Sequence, residues 1–235
     1  MMKRTLVLAL ILAVQLTAFA KGKQSVYQVK SIGEDKALSS LVDANVWNKA
    51  GVMTLRETVT GSTDVLSTKV RLLYSNTHLY IRFECEDPYI WGTHTERDSP
   101  IFNEECVEVF LDPAQCGHQY FEINLSPKNV TFESCVLTHR TEKEPGNKFL
   151  GNRTYNPELK TLVTKTKDGW IGMYAIPFKD LYGNPTVVPQ KGDKWNANFY
   201  RIDKLKDKPT TYDAWQPTGK VDFHRPWVFG TLLFK

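Results

Sequence analysis

The run Cys106-Val107-Glu108-Val109-Phe110-Leu111-Asp112, followed by Tyr120-Phe121-Glu122-Ile123-Asn124-Leu125, decides the fold class. Extended backbone sends alternate side chains to opposite faces, so Val107, Val109 and Leu111 share one face while Cys106, Glu108 and Phe110 share the other. Phe121, Ile123 and Leu125 separate from Tyr120, Glu122 and Asn124 in the same way. Strands with one apolar and one more polar face belong to antiparallel sheets packed on a core.

Leu66 to Tyr74 and His78 to Cys85 read as a hairpin about Ser75-Asn76-Thr77. Asn129 to Val136 follows the turn Ser126-Pro127-Lys128, and Leu159 to Thr166 meets Trp170 to Ile176 about Lys167-Asp168-Gly169. Trp195 to Ile202 and Val228 to Phe234 complete about nine or ten strands, with almost no 3.6-residue periodicity between them. The expected fold is all-β, an antiparallel β-sandwich in a single domain over residues 21–235. Residues 138–158 form the one long polar insertion and read as a surface loop over one end of a sheet.

The chain has 235 residues, with 30 Lys and Arg against 26 Asp and Glu, a formal charge of +4 and 41% apolar residues. That balance excludes a disordered tail, a multi-span membrane protein and a basic nucleic-acid surface. Residues 1–20 combine Lys3 and Arg4, an apolar run from Leu6 to Val14, and Ala18 and Ala20 framing a cleavage site, the pattern of a signal peptide. The apolar run is too short for a membrane span, which needs about 20 residues. No Cys stands at the cleavage point, so the expected destination is secreted or periplasmic, without a lipid anchor. Export permits disulfides among Cys85, Cys106, Cys116 and Cys135, in any of three pairings, or four free thiols. Their wide spacing is unlike a zinc site.

Catalytic motifs are absent: no G-x-S-x-G elbow, no H-E-x-x-H, no phosphate loop. A glycosidase needs two carboxyl groups about 5 to 9.5 Å apart, which Glu104, Glu105, Glu108 and Glu122 could supply. The same acids can instead accept hydrogen bonds from ligand hydroxyls. Aromatic residues outside the strands, Trp91, Phe102, Trp215, Phe223 and Trp227, stand among polar groups. Flat rings stack on the apolar faces of sugars while neighbouring polar groups fix the hydroxyls.

The segments LYIRFECEDP, IFNEECVEVFLDP, YFEINLSP, GWIGMYAIPFKDL, NANFYRID and HRPWVFG resemble the family 9 carbohydrate-binding modules and their wider relatives, from about Val42 to Phe234. The acidic strand Val107 to Asp112 and the ending Pro226-Trp227-Val228-Phe229-Gly230 are the most specific parts. The resemblance implies a jelly-roll-like, DOMON-like sandwich with a sugar clamped between two rings. The first ring, six residues before the strand glutamate, falls on Phe102; the second, six before the final F-G phenylalanine, falls on Phe223. Binders of plant polysaccharide ends use Trp at both places, and this chain has Phe. Glu108 matches as the main polar contact, whereas Glu122 stands where binders can place Arg. Asn124, Tyr200, Arg201, Trp215 and His224 are further candidates for the binding face. For Arg201 a buried partnership with a carboxylate is the competing role.

Characterised members hold calcium, and the resemblance places Glu86, Asp87, Asp98 and Glu104 in the loop concerned, although no D-x-D-x-D-G loop occurs. No organic cofactor is expected. The leading expectation is a non-catalytic, monomeric module that binds oligo- or polysaccharide in support of polysaccharide catabolism. Intrinsic glycoside hydrolysis, or an accessory role to it, is one alternative. Another is a haem-binding electron-transfer sandwich, for which only Met53 and Met173 remain after signal removal.

Overall fold

The computed structural model describes residues 24–182 and 187–235; the expected signal peptide, residues 1–20, lies outside them. Along the chain run β1 (Val26–Gly33), β2 (Met53–Thr54), β3 (Arg56–Glu57), β4 (Thr68–Ser75), β5 (His78–Glu86), β6 (Cys106–Asp112) and β7 (Gln119–Leu125). Then come β8 (Thr131–Thr138), β9 (Phe149–Asn152), β10 (Lys160–Lys165), β11 (Gly169–Pro177), the short helix α1 (Phe178–Tyr182), β12 (Lys194–Asp203), β13 (Thr211–Ala214) and β14 (Gly230–Phe234).

The strands make the expected all-β sandwich. The front sheet runs β9-β8-β7-β6-β12-β14, and the back sheet runs β10-β11-β5-β4. β12 is long enough to take β14 along its first half and β13 along its second, opposite β6. β1 joins the sheets: Val26 to Val29 pair with β14, and Lys30 onward pairs with β4 across a register shift. Both pairings are parallel, the other ladders among the described residues being antiparallel as expected. A strand that passes from one sheet to the other can satisfy the edges of both.

The core forms where the inward faces meet. Val107, Val109, Leu111, Ile123, Leu125 and Phe199 from the front sheet pack against Val70, Leu72, Ile81, Phe83, Trp170 and Tyr174 from the back. Each large apolar side chain buried this way contributes roughly 1.5–3 kcal/mol.

β6 is buried along both faces, because the outer face of the front sheet carries a second apolar cluster. Phe110, Tyr120, Tyr200 and Phe229 meet there with Phe132 and Phe223. The segment between β13 and β14 lies across that face. Residues 138–158 are not all loop, since β9 adds an antiparallel strand to β8. All four β9 residues are exposed, so they lack the alternation that reveals a strand.

Candidate functional site

The outer face of the front sheet holds a cavity of about 520 Å³. Glu108 enters from β6, Glu122 from β7, and Phe132 and Ser134 from β8. Phe102 arrives on the 3-10 turn Ile101–Asn103 just before β6. The segment between β13 and β14 supplies Val221, Asp222, Phe223 and His224, while β9 and the residues after it supply Phe149, Gly151 and Arg153. Five of the nine candidate binding residues, Phe102, Glu108, Glu122, Phe223 and His224, therefore converge on one cavity.

Packing fixes the rings. Phe223 stacks on Tyr200 with centroids 4.0 Å apart and planes 11° from parallel. The Tyr200 hydroxyl donates to the Phe223 carbonyl at 3.0 Å and accepts from Asn198 Nδ2 at 2.8 Å. Phe102 meets Phe132 edge-on at 5.0 Å. Phe149, 39% exposed, stacks on His224 at 3.9 Å, and Arg140 lies over the same ring. The insertion thus walls one side of the cavity.

The acids at its base are deeply desolvated. Glu108 is held well above the ordinary carboxylate range by burial and then by the charge of Glu122. Burial pushes Glu122 up to about 7, against the lowering effects of the Asn124 amide and Arg153. Asn124 Nδ2 donates to Glu122 Oε1 at 3.0 Å, and the Cys106 thiol approaches Glu108 Oε1 at 3.5 Å. His224 Nδ1 bonds the Tyr120 hydroxyl at 2.8 Å. Burial pushes this imidazole down to about 4, so at neutral pH its contact with Glu122 at 3.9 Å is not an ion pair.

The other candidates lie elsewhere. Asn124 and Tyr200 are fully buried beneath the cavity, as supports for Glu122 and Phe223. Trp215 does not line the cavity; it packs in the core beside Phe199 and against Gly230, where a Cβ would fall 2.4 Å from the indole. Arg201 points to the opposite face of β12 from Tyr200 and is wholly buried. Its Nη2 lies 3.4 Å from Asp87 Oδ2, 3.8 Å from Glu105 Oε1 and 3.3 Å from Asp203 Oδ1. Its Nη1 donates to Thr68 Oγ1 and to the Glu86 carbonyl. The competing role, a buried partner of carboxylates, is the one this geometry displays.

The four residues singled out for calcium do not share a centre. Glu86 is exposed and accepts from the Ser67 amide, Asp98 is exposed, and Glu104 accepts from the Thr93 hydroxyl and amide. Asp87 instead groups with Glu105 and Asp203, their carboxylate oxygens within 4.8 Å of one another. That trio does not fit calcium either, because the Arg201 guanidinium already supplies the cation. Trp170 Nε1 donates to both Asp87 and Glu105 at 3.1 Å. Burial, followed by the hydrogen bond and charge of Asp87, pushes Glu105 up to about 9. Met53 and Met173 are buried in separate apolar clusters, and the four cysteines are free thiols.

Sequence reading missed Phe132, Ser134, Phe149 and Arg153. The first two were available from alternation, because Ser134 pairs with Glu122 and Phe132 with Asn124 across the β7–β8 ladder.

Comparison with known proteins agrees with this architecture. Residues 40–235 match the carbohydrate family 9 binding domain-like family. The chain belongs to that family. An extracellular protein of Arthroderma benhamiae is 28% identical over 200 residues, which cover 80% of this chain and 86% of the relative. A solved Bacteroides uniformis protein, for which carbohydrate binding has been suggested, superposes with a TM-score of 0.71 at 15% identity, covering 91% of this chain and 100% of its own. A family 9 carbohydrate-binding module from Caldicellulosiruptor kristjanssonii, solved with cellotriose, gives a TM-score of 0.64 at 16% identity, covering 90% and 94%.

Proposed function

We propose that this protein is a non-catalytic carbohydrate-binding module that seats a saccharide in the cavity on its front sheet, between Phe102 and Phe223. One observation carries the reading: rings and acids from positions 102, 108 and 122 and, about a hundred residues further on, 223 line a single cavity in a chain of the family 9 binding domain-like group. Rings stack on a pyranose while Glu108 and Glu122 receive its hydroxyls. The cellotriose complex of the Caldicellulosiruptor module supports a saccharide as the class of ligand.

Export to the cell exterior is part of the reading. It is supported by the basic, apolar and small-residue succession in residues 1–20 and by the extracellular relative. Among the described residues no helix is long and apolar enough to cross a membrane. A glycan array probed with the purified protein tests the binding. Retention on a subset of glycans, lost on Phe102→Ala, is expected; uniform absence of signal overturns the reading. Release of reducing ends from the bound glycans, abolished by Glu108→Gln, would replace binding with hydrolysis.

A further inference from the structure

The base of the cavity is built of two carboxyl groups and a hydroxyl. Glu108 and Glu122 are only 2% and 7% exposed. Ser134 stands opposite Glu122 in the β7–β8 register, lines the same cavity and is 1% exposed. Its Oγ has no hydrogen-bond partner. Glu108 receives only the Cys106 thiol and Glu122 only the Asn124 amide. Among the described residues no Lys or Arg forms an ion pair with either acid. Two adjoining buried carboxyl groups with no paired cation, Arg153 acting on Glu122 only as a nearby exposed charge, are unfavourable as two anions, and each is held above its ordinary range.

A hydroxyl offers such a base one donor, whereas an ammonium offers three donors and the missing charge. We propose that the saccharide bound here is an amino sugar, with its protonated amine seated between Glu108, Glu122 and the Ser134 hydroxyl. This rests on the carbohydrate reading above and adds the class of sugar to it. The remaining charges around the cavity permit the arrangement. Asp222 is neutralised by Arg140 at 3.0 Å. His224 is uncharged near neutral pH. Arg153, exposed over the Phe132 ring at 5.2 Å, is the cation lining the cavity; its solvent-screened charge offsets at most one of the two acids. Overall attraction for a polycation does not arise, since the chain carries +4. Seating the amine turns a protonated carboxyl of the pair into a carboxylate and sends that proton to solvent.

Isothermal titration of the full chain at pH 6, in two buffers of different ionisation enthalpy, tests this with three probes: glucosamine tetramer, N-acetylglucosamine tetramer and cellotetraose. The glucosamine tetramer is expected to bind at least tenfold more tightly than the other two, with net proton release that they do not cause. Glu122→Gln and Ser134→Ala are expected to reduce that preference severalfold without changing the melting curve by more than a few degrees. Equal or tighter binding of cellotetraose or the acetylated tetramer overturns the amino-sugar assignment and leaves carbohydrate binding standing. Failure of all three to bind overturns the amino-sugar assignment, and the carbohydrate reading falls with it only if the glycan array is also blank. A preference that survives Glu108→Gln and Glu122→Gln also overturns the assignment. Should those variants fail to fold, glucosamine binding to the wild type without proton release is the contradicting result.

Discussion

Phe223 lies flat on Tyr200, with centroids 4.0 Å apart and planes 11° from parallel, and the hydroxyl of the lower ring anchors the backbone of the upper one at 3.0 Å. One face of the candidate clamp ring is therefore taken up by the protein. Only 9% of Phe223 is exposed, and it lines the cavity. A ring fixed in this way loses little rotamer entropy when a ligand docks.

Tyr200→Phe separates anchoring from stacking. It removes two buried hydrogen bonds, to the Phe223 carbonyl and from Asn198 Nδ2, at a cost of about 1–3 kcal/mol of stability, measured by denaturant melts. Saccharide affinity is expected to stay within about twofold, because the flat contact survives. A large loss of affinity at unchanged stability would place the Tyr200 hydroxyl itself in contact with ligand.

Phe149 brings the insertion into the site. Its ring stacks on His224 and borders the cavity, so Phe149→Ala is expected to weaken saccharide binding roughly three- to tenfold with little effect on melting, since the residue is 39% exposed. Titration calorimetry against any glycan retained on the array checks both halves.

Stability is expected to fall as pH rises from about 5 to 9. Burial holds Glu122 up to about 7, Asp213 up to about 7 and Glu105 up to about 9, with Glu108 also raised. Unfolded carboxyl groups titrate near 4 to 4.5, so above that range the folded state holds more protons than the unfolded one. The stability from these groups is full at low pH and declines as pH climbs toward each folded value. His224, pushed down to about 4 by burial, opposes the trend with one proton, losing stability as pH falls from about 6.5. Thermal melts should give a higher midpoint at pH 5.5 than at pH 8.5, and Glu122→Gln should flatten the slope. A midpoint that rises over this range contradicts the placement of the acids.

Arg201→Met tests the inner cluster. Removing the cation leaves Asp87 and Asp203 buried without it, at a cost of about 3–5 kcal/mol in chemical denaturation. Because the guanidinium supplies the positive charge, excess EDTA is expected to move the wild-type melting midpoint by less than about 1 °C, whereas loss of a tightly bound ion removes several kcal/mol. A large shift on chelation would show that calcium is held by other residues.

The sandwich was legible because alternation in Val107 to Leu111 and Phe121 to Leu125 records which face is inward, and Phe102 and Phe223 followed from the family spacing, with Glu108 matched on the acidic strand. Trp215 was not legible as an interior group, and for Arg201 a buried partnership with a carboxylate stood beside ligand contact with nothing local to choose between them. β12 is buried on both faces over Ala197 to Asp203, so alternation separates Tyr200 from Arg201 without saying which side meets solvent. β9 left no trace, because Phe149, Leu150, Gly151 and Asn152 are all exposed and owe their pairing to β8. The parallel joins of β1 depend on partners more than 40 residues away, which no local pattern encodes.

The most direct measurement is affinity electrophoresis of the wild type and of Phe102→Ala/Phe223→Ala through gels containing hydroxyethylcellulose or soluble chitosan. The account predicts that at least one polysaccharide retards the wild type and that the double variant, still folded by circular dichroism, migrates as it does in a blank gel. Unretarded wild type in both gels, or equal retardation of the double variant, would contradict it.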